Sequence, residues 1–383
     1  MAGSGNLTFL DWLLLAGAAA GSLYLIVAAM AVRGFALRAP RVSGGKPPVS
    51  LLKPLCGEDP ELYENLLSFC RQDYPSWQIV FGVQNPTDPA VAIVNRLIAE
   101  FPAADLTLIV KGGRSAGNLK IANLQNMLPA ARHDFLVIAD SDIRVGPDYL
   151  STVTSSLTEK DIGLVTCLYR GRAARGLWSR LGALHINHGF LPQALVGARL
   201  GAGWGCFGAT LALRRGTLEA IGGFAAIADQ LADDYALGEA VRALGLRVQL
   251  APYLVDNIIS EPSLAALFRH ELRWARTIRV VAPAGFIGSL VTHPLIPALL
   301  ANLMGAGTLV PTAVLIWVLA CRCAMARIVD RSLGLPASPV ALLPVRDVLS
   351  FAVFVTSFFT RTVAWRDRRF RIGAGGHLLP SRR

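Results

Sequence analysis

The chain is short of charge, and shortest of negative charge. Only 16% of its 383 residues are charged, with 26 acidic against 37 basic residues and a net charge of +11, while 53% are hydrophobic. That balance is too apolar for a disordered chain and too apolar for an ordinary water-soluble enzyme. The six cysteines (Cys56, Cys70, Cys167, Cys206, Cys321 and Cys323) contain no zinc-type Cys-x-x-Cys pair and read as reduced packing residues. No solenoid-period repeat and no long low-complexity run is present. A nucleic-acid binder would cluster Lys and Arg with aromatics on a soluble domain. Here the arginines instead follow apolar runs: Arg33, Arg38 and Arg41; then Arg322, Arg327 and Arg331; then Arg361, Arg366, Arg368, Arg369 and Arg371. That pattern marks the cytoplasmic side of a membrane protein.

Trp12 to Val32 is uncharged over 21 residues, enough to cross a hydrocarbon core of ~30 Å. A signal peptide needs a basic start and a shorter apolar core, but here Asp11 precedes the run and the arginines follow it. Residues 1–33 are therefore expected to form a transmembrane signal anchor with its start outside, and 34–48, containing "GGKPP", a linker. Residues 49–260 form a cytoplasmic catalytic domain in this reading. From 261 to 283, Arg269, His270, Arg273, Arg276 and Arg279 alternate with Leu264, Leu267, Leu272, Trp274 and Ile278, which predicts an amphipathic interfacial helix on an anionic membrane surface. Ala282 to Cys321 has no charged residue, so 284–326 has room for two transmembrane helices with a turn near Gly305-Ala306-Gly307. Residues 327–383 are read as a re-entrant or membrane-associated region with a basic tail. The Arg346-Asp347 pair would be costly at the bilayer centre, and a return to the cytoplasm agrees with the arginines at the end.

Between positions 49 and 260, strand patterns at Ser50–Leu52, Ile79–Val83, Leu106–Val110, Leu136–Ala139 and Gly163–Leu168 alternate with helical ones such as Glu61–Cys70 and Ala90–Glu100. Such alternation predicts an α/β domain with a mostly parallel sheet covered on both faces, and ligands bind at the carboxyl ends of such strands. The fourth strand candidate runs directly into Asp140-Ser141-Asp142. Alternate residues at a strand end can aim two carboxylates at one site, and Mg²⁺ is typically held by one or two carboxylates plus substrate phosphates. Asp-x-Asp is also a common turn sequence; the buried strand before it is what favours the metal reading. "LADDYALG" carries Asp233 and Asp234, either helix-start partners of the dipole or a general base. "HELRW" places His270, Arg273 and Trp274 together, either as a helix anchor or as a diphosphate and sugar contact; it is not the zinc HExxH pattern, because position 274 is Trp. His185 and His188, three apart, read as packed side chains or ligands. "CFGATLALRR" is a tight turn into a strand that can shape an acceptor pocket, and "GNLKIANL" offers Lys120 as a phosphate contact.

Taken together these motifs resemble the inverting membrane glycosyltransferases of the ceramide glucosyltransferase group. The likeness runs from "VSLLKPLCGEDPEL" through "LADDYALG" and "HELRW" to "RRFRIGAGG". On "SFCRQDYP", "LVIADSDIRV", "GLVTCLYRG" and "HELRWARTIR" the chain looks like the bacterial hopanoid-biosynthesis-associated glycosyltransferases. The resemblance implies a GT-A nucleotide-sugar domain. It implies Pro54, Gly57 and Glu58 as donor contacts, with Asn85 at the place of the family's first aspartate and Asp88 as a substitute. It implies Asp140 as the second aspartate, on the donor, with Asp142 completing a metal pair for Mg²⁺ or Mn²⁺. Asp234 is implied as catalytic base, and Arg273 and Trp274 as the final motif, with His270 where Gln or Arg is usual and Arg269 as compensation. The implied reaction moves N-acetylglucosamine from a UDP-sugar to a bacteriohopanetetrol-type hopanoid at the bacterial inner membrane, with the catalytic domain facing the cytoplasm. Ceramide with UDP-glucose is the alternative; a polysaccharide synthase usually needs more spans, and a non-catalytic membrane scaffold is the reading of another class.

Overall fold

The computed structural model describes residues 7–38, 45–57, 59, 61–112, 117–201, 205–305, 308–360, 362–365, 368–372 and 378–380. Two compact units are present. One comprises Ala39–Arg180, Gly203–Ser260 and Ala364–Arg383; the other comprises Met1–Arg38, Leu181–Ala202 and Glu261–Val363.

The first unit is built on eight strands: β1 (Val49–Pro54), β2 (Trp77–Val83), β3 (Asp105–Val110), β4 (Phe135–Ile138), β5 (Ile143–Arg144), β6 (Ile162–Ala173), β7 (Leu211–Arg214) and β8 (Arg247–Ile259). Their order is β3-β2-β1-β4-β7-β6-β8-β5. The half from β3 to β4 is parallel. Beyond it β7 runs antiparallel to β4 and β6, β6 and β8 are parallel, and β5 is antiparallel to β8, so the sheet is mixed. Strand side chains alternate between two faces, and both faces are buried here. Leu51, Ile79, Phe81 and Val137 pack on one side with Leu62, Leu66 and Val94 of helices Leu62–Cys70 and Ala90–Glu100. Leu52, Val80, Leu136 and Ile138 pack on the other with Ile121 and Leu124 of helix Leu119–Met127. This is why these strands read as continuous apolar runs.

All five strand candidates lie in the sheet, as β1, β2, β3, β4 and β6. β5, β7 and β8 complete it. Pro252 sits inside β8, and the β6–β8 register shifts across it, between Thr166 and Leu168; a residue with no backbone N–H breaks the ladder and hides the strand from pattern reading. The chain leaves β1 toward β2 and β3 on one side and returns to β4 on the other. The carboxyl ends of β1 and β4 therefore flank a reversal of strand order, the place where such sheets bind ligands.

The second unit is helical. Phe9–Ala36 and Leu309–Ser332 are long and apolar enough to cross a membrane, and Pro283–Thr292 with Leu295–Met304 forms a pair bent by 55° that passes the same test together. Thr8 and Asp11 cap the first helix reciprocally: Asp11 N donates to Thr8 Oγ1 at 3.2 Å and Thr8 N donates to Asp11 Oδ2 at 2.8 Å. Asp11 is thus part of the helix start. A side chain on Gly21 would meet Pro294 Cβ at 2.5 Å and the Val291 carbonyl at 2.8 Å, so glycine lets the bent pair approach this helix. The turn predicted near Gly305 is present, with Thr308 N donating to Gly305 O at 2.9 Å, while Ala306 and Gly307 lie outside the described residues. Three short strands, Thr362–Trp365, Arg368–Ile372 and Leu378–Pro380, form a small sheet in the basic tail, where the pattern suggested none.

Helix Leu342–Thr356 has 15 residues and rises about 22 Å, short of the ~30 Å core. Its Arg346 and Asp347 do not pair with each other. Asp347 receives Arg322 at 2.8 Å from both Nε and Nη2, and Arg346 is matched to Glu271. His188 Nε2 lies 2.8 Å from Asp330 Oδ1, which also accepts Ser338 Oγ at 3.0 Å. A charge among apolar helices is tolerable only when partnered. Replacing Arg322 by Met strands Asp347, so R322M is expected to lose about 3–5 kcal/mol of stability, and R322M/D347L to regain most of it. Thermal unfolding of the detergent-solubilised full chain measures both.

Candidate active site

The acidic residues gather where the strand order reverses. β4 ends at Ile138, Ala139 N still reaches Leu52 O at 3.3 Å, and the chain turns through Asp140-Ser141-Asp142 into β5. Three supports shape this turn. Lys53, fully buried on β1, donates from Nζ to the Asp140 carbonyl at 2.5 Å and stands 3.9 Å over the Phe69 ring. Ser141 Oγ donates to Asp59, and Asn257 of β8 donates from Nδ2 to Asp142 Oδ2 at 2.8 Å.

Lys120 joins this turn to the second acidic pair. Asn118 caps helix Leu119–Met127, its Oδ1 accepting Lys120 N at 2.9 Å and Ile121 N at 3.2 Å, which sets Lys120 in the first turn. Its Nζ lies 2.8 Å from Asp140 Oδ1 and 3.2 Å from Asp233 Oδ2. Asp233 and Asp234 open helix Asp233–Ala243, where the dipole favours negative charge. Asp234 is oriented by two backbone donors, Tyr235 N on Oδ1 at 2.8 Å and Gly208 N on Oδ2 at 2.9 Å. Gly208 touches both acidic sets: a Cβ there would lie 3.4 Å from Asp234 Oδ2 and 3.6 Å from Asp140 Oδ2. Asp140 and Asp234, separate motifs in sequence, thus face one small residue.

The electrostatics follow from crowding. Five carboxylates (Asp59, Asp140, Asp142, Asp233 and Asp234) meet two ammonium groups (Lys53 and Lys120). Burial, reinforced by the charges of Asp140 and Asp59, pushes the Asp142 carboxyl up to about 6. Burial and then Asp233 raise Asp234 to about 6, against the pull of Lys120 and its two backbone donors. Burial also raises Asp59, against the Ser141 hydrogen bond. Burial lowers Lys53 to about 7, although Asp140, Asp142 and Asp59 all favour its charge. For Lys120 burial acts in the same direction, but Asp140 and Asp233 outweigh it and hold the ammonium above the ordinary lysine range.

Among the described residues no group of three or more His, Cys, Asp or Glu has the arrangement of a metal cage. The donor set suits a hard divalent cation that completes its shell with phosphate and water. Asp140 and Asp142 would supply the oxygens, and such a cation would relieve the mutual repulsion of Asp59, Asp140 and Asp142.

The other expected site residues fall as follows. Pro54 ends β1 and is buried. Gly57 adopts a positive φ of 78° and donates its N–H to Asp88 Oδ2 at 2.8 Å, so Asp88 shapes the loop after β1. Asn85 is exposed and its Oδ1 closes a turn onto Thr87 N at 3.0 Å. Glu58 lies outside the described residues. His270, Arg273 and Trp274 lie on helix Leu264–Val281 of the helical unit; the His270 and Trp274 rings are 4.4 Å apart, and His270 Nδ1 is 2.6 Å from Glu261 Oε1. Lys53, Asp59, Gly208 and Asn257 were missing from the expected site. Lys53 had a signal, a lone charge inside an apolar strand. Asn257 had none, since it reaches Asp142 across 115 positions.

The fold resembles that of a mannosyltransferase from Pyrobaculum calidifontis solved in complex with GDP-Man and Mn²⁺, at a TM-score of 0.54 and 20% identity over 92% of this chain and 99% of that one. The sheet and its likeness to that structure define a fold of the GT-A type. Ceramide glucosyltransferase 1 of Caenorhabditis elegans is 24% identical over 348 residues, 88% of this chain and 74% of that protein. A ceramide glucosyltransferase of Komagataella phaffii is 30% identical over 122 residues, 31% of this chain and 23% of that protein. The profile of glycosyl transferase family 21 matches residues 13–378, and the chain belongs to that family.

Lys120 is the cation shared by the two acidic sets. K120M is expected to lose roughly 3 kcal/mol of stability by stranding Asp140 and Asp233, and K120M/D233N to recover part of it. Denaturant unfolding of the three proteins side by side reads the difference.

Proposed function

We propose that the enzyme transfers a sugar from a UDP-sugar to the hydroxyl of a membrane lipid with inversion at the anomeric carbon. The observation that carries this is the convergence of Asp140 and Asp234 on Gly208, with Asp234 oriented by two backbone N–H groups and its carboxyl raised to about 6. A base of that strength is ionised at neutral pH yet accepts a proton readily. In the reaction the acceptor oxygen attacks the anomeric carbon in line, the bond from that carbon to the UDP oxygen breaks, UDP departs with the electron pair, and the hydroxyl proton passes to Asp234. Asp140 and Asp142 would hold Mg²⁺ or Mn²⁺, which when bound neutralises the diphosphate leaving group. The resemblance assigns Pro54, Gly57, Glu58 and Asn85 to the donor and Arg273, Trp274 and His270 to the same reaction, and Lys120, beside Asp140, is assigned to the donor phosphates by its charge.

A lipid acceptor is supported by the apolar helices of the second unit and by relatives named ceramide glucosyltransferase. We assign a bacteriohopanetetrol-type hopanoid as acceptor and UDP-N-acetylglucosamine as donor, on the motifs "SFCRQDYP", "GLVTCLYRG" and "HELRWARTIR". The names of the relatives favour a second reading, ceramide with UDP-glucose. The placement of arginines after apolar runs supports a bacterial inner-membrane enzyme with its catalytic unit in the cytoplasm.

Offering the purified chain each donor with each lipid decides between the readings: faster transfer of glucose to ceramide reverses the assignment. Asp234→Asn is expected to lower turnover about 10²- to 10⁴-fold, and wild-type turnover in D234N removes the proposed base. Because the active form of Asp234 is ionised and its proton affinity is raised, kcat/KM should fall roughly tenfold per pH unit below about 6 and level off above it. A profile that stays flat down to pH ~4, the ordinary carboxylate range, contradicts the assignment.

A further inference from the structure

Glu271 and Arg346 form a two-pronged pair, Nη1 to Oε1 at 2.8 Å and Nη2 to Oε2 at 2.7 Å, with residue exposures of 4% and 1%. Arg346 is held from other sides as well. Its Nε donates to Ser350 Oγ at 3.1 Å, Nη1 reaches Leu181 O at 3.5 Å, and Ser350 Oγ lies 3.5 Å from His185 Nδ1. The next residue, Asp347, is locked to Arg322. The guanidinium that meets Glu271 is therefore fixed from several directions.

Besides Glu271, only Leu267 and Leu272 are buried on helix Leu264–Val281; toward its end Arg276 Nη1 donates to Thr362 O at 2.6 Å and Arg279 Nη2 to Thr360 O at 3.1 Å, which leaves the pair as the buried directional contact of its middle turns. Apolar contact is non-directional, whereas a fork-to-fork pair prescribes an angle. Successive residues turn by about 100°. Arg273 therefore lies about 200° from Glu271, on the far side of the helix, and Trp274 stacks one turn from His270 on a flank.

We infer that the Glu271–Arg346 pair is a positioning device that sets the rotation of helix Leu264–Val281, and through it the presentation of Arg273 and Trp274 to the sugar-transfer reaction. The inference rests on the reading that those two residues serve transfer. A buried ion pair is a poor means of stabilisation: apolar residues of similar volume usually do as well or better. What the pair supplies and two methionines do not is direction.

The test uses the full chain in detergent or nanodiscs, comparing wild type, E271M/R346M, R273A and E271M/R346M/R273A in thermal unfolding and in turnover of UDP-sugar with lipid. E271M/R346M is expected to unfold no earlier than wild type yet to turn over ~10- to 100-fold more slowly, mainly in kcat, as a misplacement near 1 Å does. The loss in E271M/R346M/R273A should fall well short of the product of the two separate losses, because part of the pair's effect passes through Arg273. Wild-type turnover in E271M/R346M, or losses that multiply with R273A, overturns the inference. If E271M/R346M fails to fold, R346K carries the test, because it keeps the charge and removes the fork; full turnover in R346K also overturns it. An active wild type with a dead D234N and an unaffected E271M/R346M sinks the positioning role alone. A wild type that transfers no sugar to any lipid sinks the functional reading and the inference with it.

Discussion

Five carboxylates are drawn together at the carboxyl end of a buried sheet, and two lysines make this possible. Isolated, such a cluster would take up protons or drive the turn apart, because removing charge from water is costly unless it is compensated. Lys53 compensates from below, on the carbonyl of Asp140, and Lys120 compensates from the side, between Asp140 and Asp233. The compensation is incomplete. Burial, reinforced by neighbouring carboxylates, still raises Asp142 and Asp234 to about 6. A fully neutralised cluster would be more stable and less reactive.

The same constraint governs the helical unit, with a different outcome. There three buried or half-buried acids each meet a partner: Glu271 with Arg346, Asp347 with Arg322, Asp330 with His188. Compensation among these helices serves geometry. Each pair joins residues from different helices, and one of the helices so held carries His270, Arg273 and Trp274.

Much of this was legible along the chain. β1 to β4 and β6 announce themselves as apolar runs because both of their faces are buried. Asp140, Asp142, Asp233 and Asp234 stand out because acids are scarce in an apolar, basic chain. The long spans are visible by length and hydropathy alone. Other features left no trace. β8 is broken in register across Pro252, and the tail strands lie in an arginine-rich segment with no strand pattern. Adjacent Arg346 and Asp347 look like partners, yet neighbouring residues on a helix point about 100° apart and cannot readily meet.

By itself the sequence determined the parallel half of the sheet, the apolar helices and the two acidic motifs, because hydrophobic period and residue type are local properties. Only the tertiary structure decided which charges face each other. Lys53 beneath Asp140, Lys120 between two motifs, Asn257 on Asp142 and Arg346 on Glu271 are separated by tens to more than a hundred positions. Coulomb energy depends on distance and burial, and neither is written in the order of the residues.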